Sequence, residues 1–166
     1  RAIRETADGS IWIATISGLR RLRGGVVGDP FGAPKLIHGT NTCVLLESRR
    51  GQLWIGTYGR GMMRYEDARL TRFTAPTSLP HNNVLALYED SEDNVWVGTQ
   101  GGLLRLSPSA GATITTADGA PLSINTVYQD ADGTLLVAAL DGQLLRVANR
   151  ELVPVPLPHL GAELRI

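Results

Sequence analysis

The side chains in this chain that could bind or transform a ligand lie in short polar strings, not in a catalytic cluster. Tyr58, Arg60, His81, Asn82, Gln100 and Asp141 are the candidate ligand-binding residues. Arg60 is the most distinctive, because Tyr58-Gly-Arg-Gly61 places a guanidinium between glycines, where its fork of donors can reach an anionic or sugar-like group. The plainer alternative is a solvated loop arginine. His38, His81 and His159, all 3 histidines of the chain, stand in similar lead-in strings. Imidazole suits a metal, but no Cys or carboxylate stands beside them at ligand spacing, so neither metal nor cofactor is expected. Asn41, Asn83 and Ser123 recur at one position of a repeating pattern, where a short polar side chain is expected to hydrogen-bond the turn backbone. Paired carboxylates of the kind a lyase or glycosidase needs are sparse: Asp141 is placed among these strings, Asp29 and Asp118 less securely. No nucleophile elbow or phosphate-binding loop occurs.

The elements that must position these residues come from an internal repeat. Asp8-Gly-Ser-Ile-Trp-Ile-Ala-Thr15, Arg50-Gly-Gln-Leu-Trp-Ile-Gly-Thr57, Glu92-Asp-Asn-Val-Trp-Val-Gly-Thr99 and Asp132-Gly-Thr-Leu-Leu-Val-Ala-Ala139 align without a gap. Trp12, Trp54 and Trp96 are spaced 42 residues apart, and Leu136 takes the same place 40 residues on. Around each lie an earlier apolar run, a later Gly followed by an apolar-Arg-apolar run, and a weaker fourth run such as Leu70-Thr-Arg-Phe-Thr74. Four short strands per unit, rich in Val, Ile, Leu and Thr and punctuated by Gly and Asp, predict an antiparallel meander. The Asp8-Gly9 and Asp132-Gly133 pairs suit tight hairpins. No helical period persists over a full segment.

A four-stranded unit repeated every 40 to 42 residues is β-propeller spacing. The fold expected is all-β, with about four blades at 1–40, 41–80, 81–122 and 123–158, and 159–166 beginning another. A β-sandwich is the alternative. Each blade must bury its faces against its neighbours, so the tryptophans are expected between blades and not as exposed stacking platforms. Both ends read as innermost strands, which predicts part of a larger ring or self-association through open blade edges.

Bulk properties narrow the partners. Lys plus Arg and Asp plus Glu balance at 16 each, so neither nucleic acid nor an anionic membrane is expected as a partner. Apolar residues come in short bursts, which excludes a spanning helix. Lone Cys43 reads as a small buried residue. No leader opens the chain, so any targeting segment is expected outside it.

Leu79-Pro-His-Asn-Asn-Val84, Tyr88-Glu-Asp90, Asn94-Val-Trp-Val-Gly-Thr99 and Gly101-Gly-Leu-Leu-Arg105 resemble the two-component regulator propeller repeat. The resemblance covers nearly all of the chain. It departs at Ala14-Thr15 and at Leu136-Leu and Ala138-Ala139. It implies a periplasmic, ligand-sensing propeller segment of a bacterial receptor, not itself an enzyme, whose histidine kinase or diguanylate cyclase lies elsewhere. The implied ligand is an unidentified small molecule or oligosaccharide. A carbohydrate-active propeller enzyme and a protein-interaction scaffold are the competing readings.

Overall fold

The structure, a computed structural model, describes residues 2–30, 37, 39–108 and 110–156. The described residues form sixteen strands and no helix. Blade 1 is β1 (Ile3–Glu5), β2 (Ile11–Thr15), β3 (Gly18–Arg23) and β4 (Val26–Gly28). Blade 2 is β5 (Thr42–Glu47), β6 (Leu53–Thr57), β7 (Met62–Glu66) and β8 (Arg69–Phe73). Blade 3 is β9 (Val84–Glu89), β10 (Val95–Thr99), β11 (Gly102–Leu106) and β12 (Gly111–Thr116). Blade 4 is β13 (Ile124–Gln129), β14 (Leu135–Ala139), β15 (Leu144–Ala148) and β16 (Glu151–Pro154). Within each blade, consecutive strands pair antiparallel in chain order.

The hairpins follow from the sequence pattern. The residue three before each Trp position has positive φ: Gly9 at 75°, Gly51 at 75°, Asp93 at 63° and Gly133 at 88°. Three of the four are glycine, which adopts that conformation without penalty. The innermost strands of blades 2, 3 and 4 each carry a bulge. Cys43, Leu85 and Asn125 are skipped in the pairing with the second strand. A bulge at one recurring position bends each innermost strand in the same way.

The hydrophobic cores lie between blades, as the tryptophan column requires. Trp12 packs with Leu45, Ile55 and Met63 of blade 2. Trp54 packs with Val84 and Val97 of blade 3, and Trp96 with Ile124, Val127 and Val137 of blade 4. Their rings are only 3%, 4% and 3% exposed. Gly56 and Gly98, two residues after the tryptophans, let the next blade approach. A Cβ on Gly56 would stand 2.7 Å from a methyl of Val84, and one on Gly98 2.8 Å from a methyl of Ile124.

One feature departs from independent radial sheets. β12 outruns β11 by two residues, because its ladder ends at Leu103 opposite Ile114. The freed Thr115 and Thr116 pair in parallel with Glu151 and Leu152 of β16, which joins blades 3 and 4 into an eight-stranded sheet.

Candidate functional site

In blades 1, 2 and 3 the loop between second and third strands is closed by the threonine three residues after the tryptophan. Thr15, Thr57 and Thr99 donate through Oγ1 to the carbonyls of Gly18, Gly61 and Gly102 at 2.7, 2.7 and 2.8 Å. These loops meet the lead-in strings through the backbone: the N–H groups of Tyr58, Gln100 and Leu140 donate to the carbonyls of Asn41, Asn83 and Ser123. The expectation that the side chains of Asn41, Asn83 and Ser123 serve the turn is therefore corrected. The carbonyls do that work, because each of these residues stands one step beyond the last ladder pair, Thr42–Thr57, Val84–Thr99 or Ile124–Ala139, opposite the N–H it accepts from. Asn83 Nδ2 instead donates to Gln100 Oε1 at 2.6 Å, and the Ser123 hydroxyl has no partner among the described residues.

Five of the six candidate binding residues fall on one rim spanning blades 2 and 3. The Gly61 N–H donates to the Asn82 carbonyl at 2.9 Å, joining the Arg60 loop to the next blade. Asn82 Oδ1 accepts from the Ala75 N–H at 2.9 Å, and His81 Nδ1 accepts from the Asn83 N–H at 3.0 Å. The amides of Asn82 and Gln100 are thus occupied in holding the rim. Tyr58, Arg60 and His81 are exposed, and no ion pair or hydrogen bond engages the Tyr58 hydroxyl or the Arg60 guanidinium among the described residues. Asp141 stands apart on blade 4, where it accepts from the Gln143 N–H at 3.1 Å and from Gln143 Nε2 at 2.7 Å. His38 and His159 lie outside the described residues. No group of three or more His, Cys, Asp or Glu able to hold a metal occurs among those described.

The opposite end carries clefts between blades, of about 250 Å³ between blades 1 and 2, 210 Å³ between 2 and 3, and 310 Å³ between 3 and 4. Each contains a tryptophan beneath an arginine of the third strand: Arg21, Arg64 and Arg105 lie 5.1, 5.5 and 6.0 Å from the ring centroids. Such stacking adds a cation–π attraction to simple coverage. A second column, six residues before each tryptophan, was not recognised in the sequence. Trp12 Nε1 donates to Thr6 Oγ1 at 3.1 Å, and Trp96 Nε1 to Asp90 Oδ2 at 2.7 Å. The signal was available, since Thr6, Ser48, Asp90 and Asp130 recur at that offset.

These hydrogen bonds favour the ionised form of Asp90. Burial opposes ionisation of Asp90, but hydrogen bonds from Trp96, Asn94 and the backbone of Asn94 and Glu92 outweigh it and hold the carboxyl below its ordinary value. Asp8 is held low chiefly by Thr6, with help from Ser10 and Arg21. Arg21 Nη2 is 2.6 Å from Asp8.

Comparison with known proteins agrees with this architecture. Residues 78–101 match the sequence profile of the family described as two component regulator propeller. No curated protein matches the chain. The structure is similar to the extracellular domain of the hybrid two component system BT3049 of B. thetaiotaomicron, with a TM-score of 0.75 at 19% identity. That match covers 95% of this chain and 23% of the other. The extracellular domain of BT4673 from the same organism matches with a TM-score of 0.73 at 17% identity, over 92% of this chain and 24% of the other. Virginiamycin B lyase of Staphylococcus aureus matches with a TM-score of 0.71 at 14% identity, over 94% of this chain and 55% of that one. The chain thus spans about a quarter of the two sensor-system domains it resembles. Residues 78–101 take in the rim residues His81 to Asn83 together with the buried Asp90 and Trp96, and the same four-stranded unit recurs on either side of them: the chain has a β-propeller fold, within which residues 78–101 are similar to the two component regulator propeller family.

Proposed function

We propose that this chain is an extracytoplasmic, periplasmic sensor segment of a bacterial two-component-type receptor. It binds a small molecule or oligosaccharide and passes the binding event to a kinase or cyclase outside the chain. The observation that carries this reading is the match of residues 78–101 to the regulator propeller family, supported by the likeness to extracellular domains of two hybrid two component systems. In this reading Tyr58, Arg60 and His81 meet the ligand, while Asn82 and Gln100 keep the rim in shape. Every carboxyl shift resolved, at Asp8, Asp90, Asp118 and Asp132, is downward. A general acid needs the opposite, which favours binding over catalysis. The test is made in the full-length protein carrying Cys43→Ser and Arg60→Cys. Labelling of intact cells by a membrane-impermeant maleimide is expected; labelling only after lysis would overturn the location and the sensor reading with it.

We also propose that the open end faces accept another blade. Leu45 and Val127, nine residues before their Trp positions, are 4% and 7% exposed against the preceding blade, whereas Ile3 at the same position of blade 1 is 73% exposed. One residue on, Leu46 and Tyr88 are partly covered by the blade that follows, and Tyr128 is 55% exposed. Both ends therefore present the surface that the inner blades bury.

A further inference from the structure

The cleft between blades 2 and 3 differs from its neighbours in one respect. The Trp54 Nε1–H and the Arg64 Nε–H, both on residues lining it, are buried and have no hydrogen-bond acceptor among the described residues. Arg64 Nε does lie 3.4 Å from Glu66 Oε2, close enough for charge attraction but misaligned for a hydrogen bond. The cause is local. Trp12 and Trp96 give their N–H to Thr6 and Asp90. The equivalent residue of blade 2 is Ser48, whose single oxygen accepts from the Gln52 N–H at 3.2 Å. Asp90 serves the matching Asn94 N–H with one oxygen and the indole with the other; Ser48, with one oxygen on a shorter side chain, makes only the first of these bonds. Buried donors left unmade are costly, so two in one cleft point to an acceptor supplied from outside.

We propose that this cleft binds a small monocarboxylate with an apolar body. One carboxylate oxygen accepts from Trp54 Nε1–H and the other from Arg64 Nε–H, while Phe73, Val95 and Leu106 receive the apolar part. Of the carboxylates nearby, only Glu66 approaches one of these donors, its Oε2 lying 3.4 Å from Arg64 Nε; the others are engaged elsewhere. Glu89 accepts from the Arg49 N–H at 2.9 Å, and Asp93 pairs with Arg49 and Arg50 at 2.9 and 3.5 Å. Glu66 accepts from Gln52 Nε2 at 2.8 Å. Both donors are shut off from solvent, so entry requires a lining side chain to move. Gln52 is half-buried and the Arg64 side chain 32% exposed, so both are able to yield. The inference is independent of the sensor reading, since it concerns the end of the blades opposite the rim.

The test uses the three indole N–H signals of the chain in a proton–nitrogen correlation spectrum, titrated with sodium benzoate and, as the probe lacking an apolar body, sodium acetate. The Trp54 signal is expected to shift saturably, at lower benzoate than acetate concentration, while those of Trp12 and Trp96 stay in place. Ser48→Asp supplies an internal acceptor and should weaken benzoate binding by about tenfold or more. Arg64→Met removes the second donor and its charge at similar length and should weaken it as well; it serves alone if Ser48→Asp displaces the other two indole signals. A Trp54 signal that ignores benzoate, or a shift that survives both substitutions, would overturn the site and leave resident water as the acceptor.

Discussion

The carboxylate of Asp90 gathers four donors in a space closed to solvent: the backbone N–H groups of Glu92 and Asn94, the Asn94 amide and the Trp96 indole. It ties the turn before β10 to the ring that seals blades 3 and 4. Asp90→Ala strands these buried donors, so it should cost about 3 kcal/mol, measured as a lowered midpoint in denaturant unfolding. The same contacts fix the pH response. Asp8 and Asp90 ionise more readily folded than unfolded, from an ordinary value of 3.8. Their stabilisation is therefore complete above that value and is lost as pH falls from about 4 through the lower folded values. Thermal unfolding between pH 6 and 2 should show stability declining mainly below pH 4, less steeply in Asp90→Asn. The tryptophans were legible in the sequence because three identical large residues recur at a fixed interval. Their partners were not, because Thr6, Ser48 and Asp90 are three different residues doing one job, and only geometry shows that the second fails at it.

Among the strands, the meander and its turns were readable from periodicity and from the Gly and Asp punctuation. The bulges were not, since Cys43, Leu85 and Asn125 share neither size nor polarity. The parallel join of β12 to β16 was equally hidden, because it depends on how far one strand outruns its partner. Likewise the loop face can be placed by counting strand directions, which groups Tyr58, Arg60, His81, Asn82, Gln100 and Asp141. The hydrogen bonds that occupy Asn82 and Gln100, and the separation of Asp141 on blade 4, could not be counted out. The glycine of Trp-x-Gly-Thr acquires a reason here: it is the contact point between a second strand and the next blade's innermost strand. Gly98→Val would place Cβ 2.8 Å from Ile124 and 3.0 Å from Ala86. We expect a loss of about 3 kcal/mol, read as a drop in melting temperature. Ala14, in the same position of blade 1, shows that one methyl is tolerated at that interface.

For the molecule as a whole, stability resides in three interblade cores, and each blade depends on its neighbours. The two unmatched faces should therefore be adhesive. Light scattering of the chain is expected to show association that grows with concentration and is suppressed by Ile3→Glu with Tyr128→Glu; a monomer at all concentrations would count against the open-face proposal. The claim on which the architecture rests is that the indoles are wedged between blades, two of them locked by internal acceptors. Hydrogen exchange of the three indole N–H groups tests this most directly. The account predicts strong protection at Trp96, where a carboxylate accepts, protection at Trp12, and a distinct rate at Trp54, which lacks an acceptor among the described residues. Exchange of all three at the rate of free tryptophan would contradict it, because the rings would then stand in solvent.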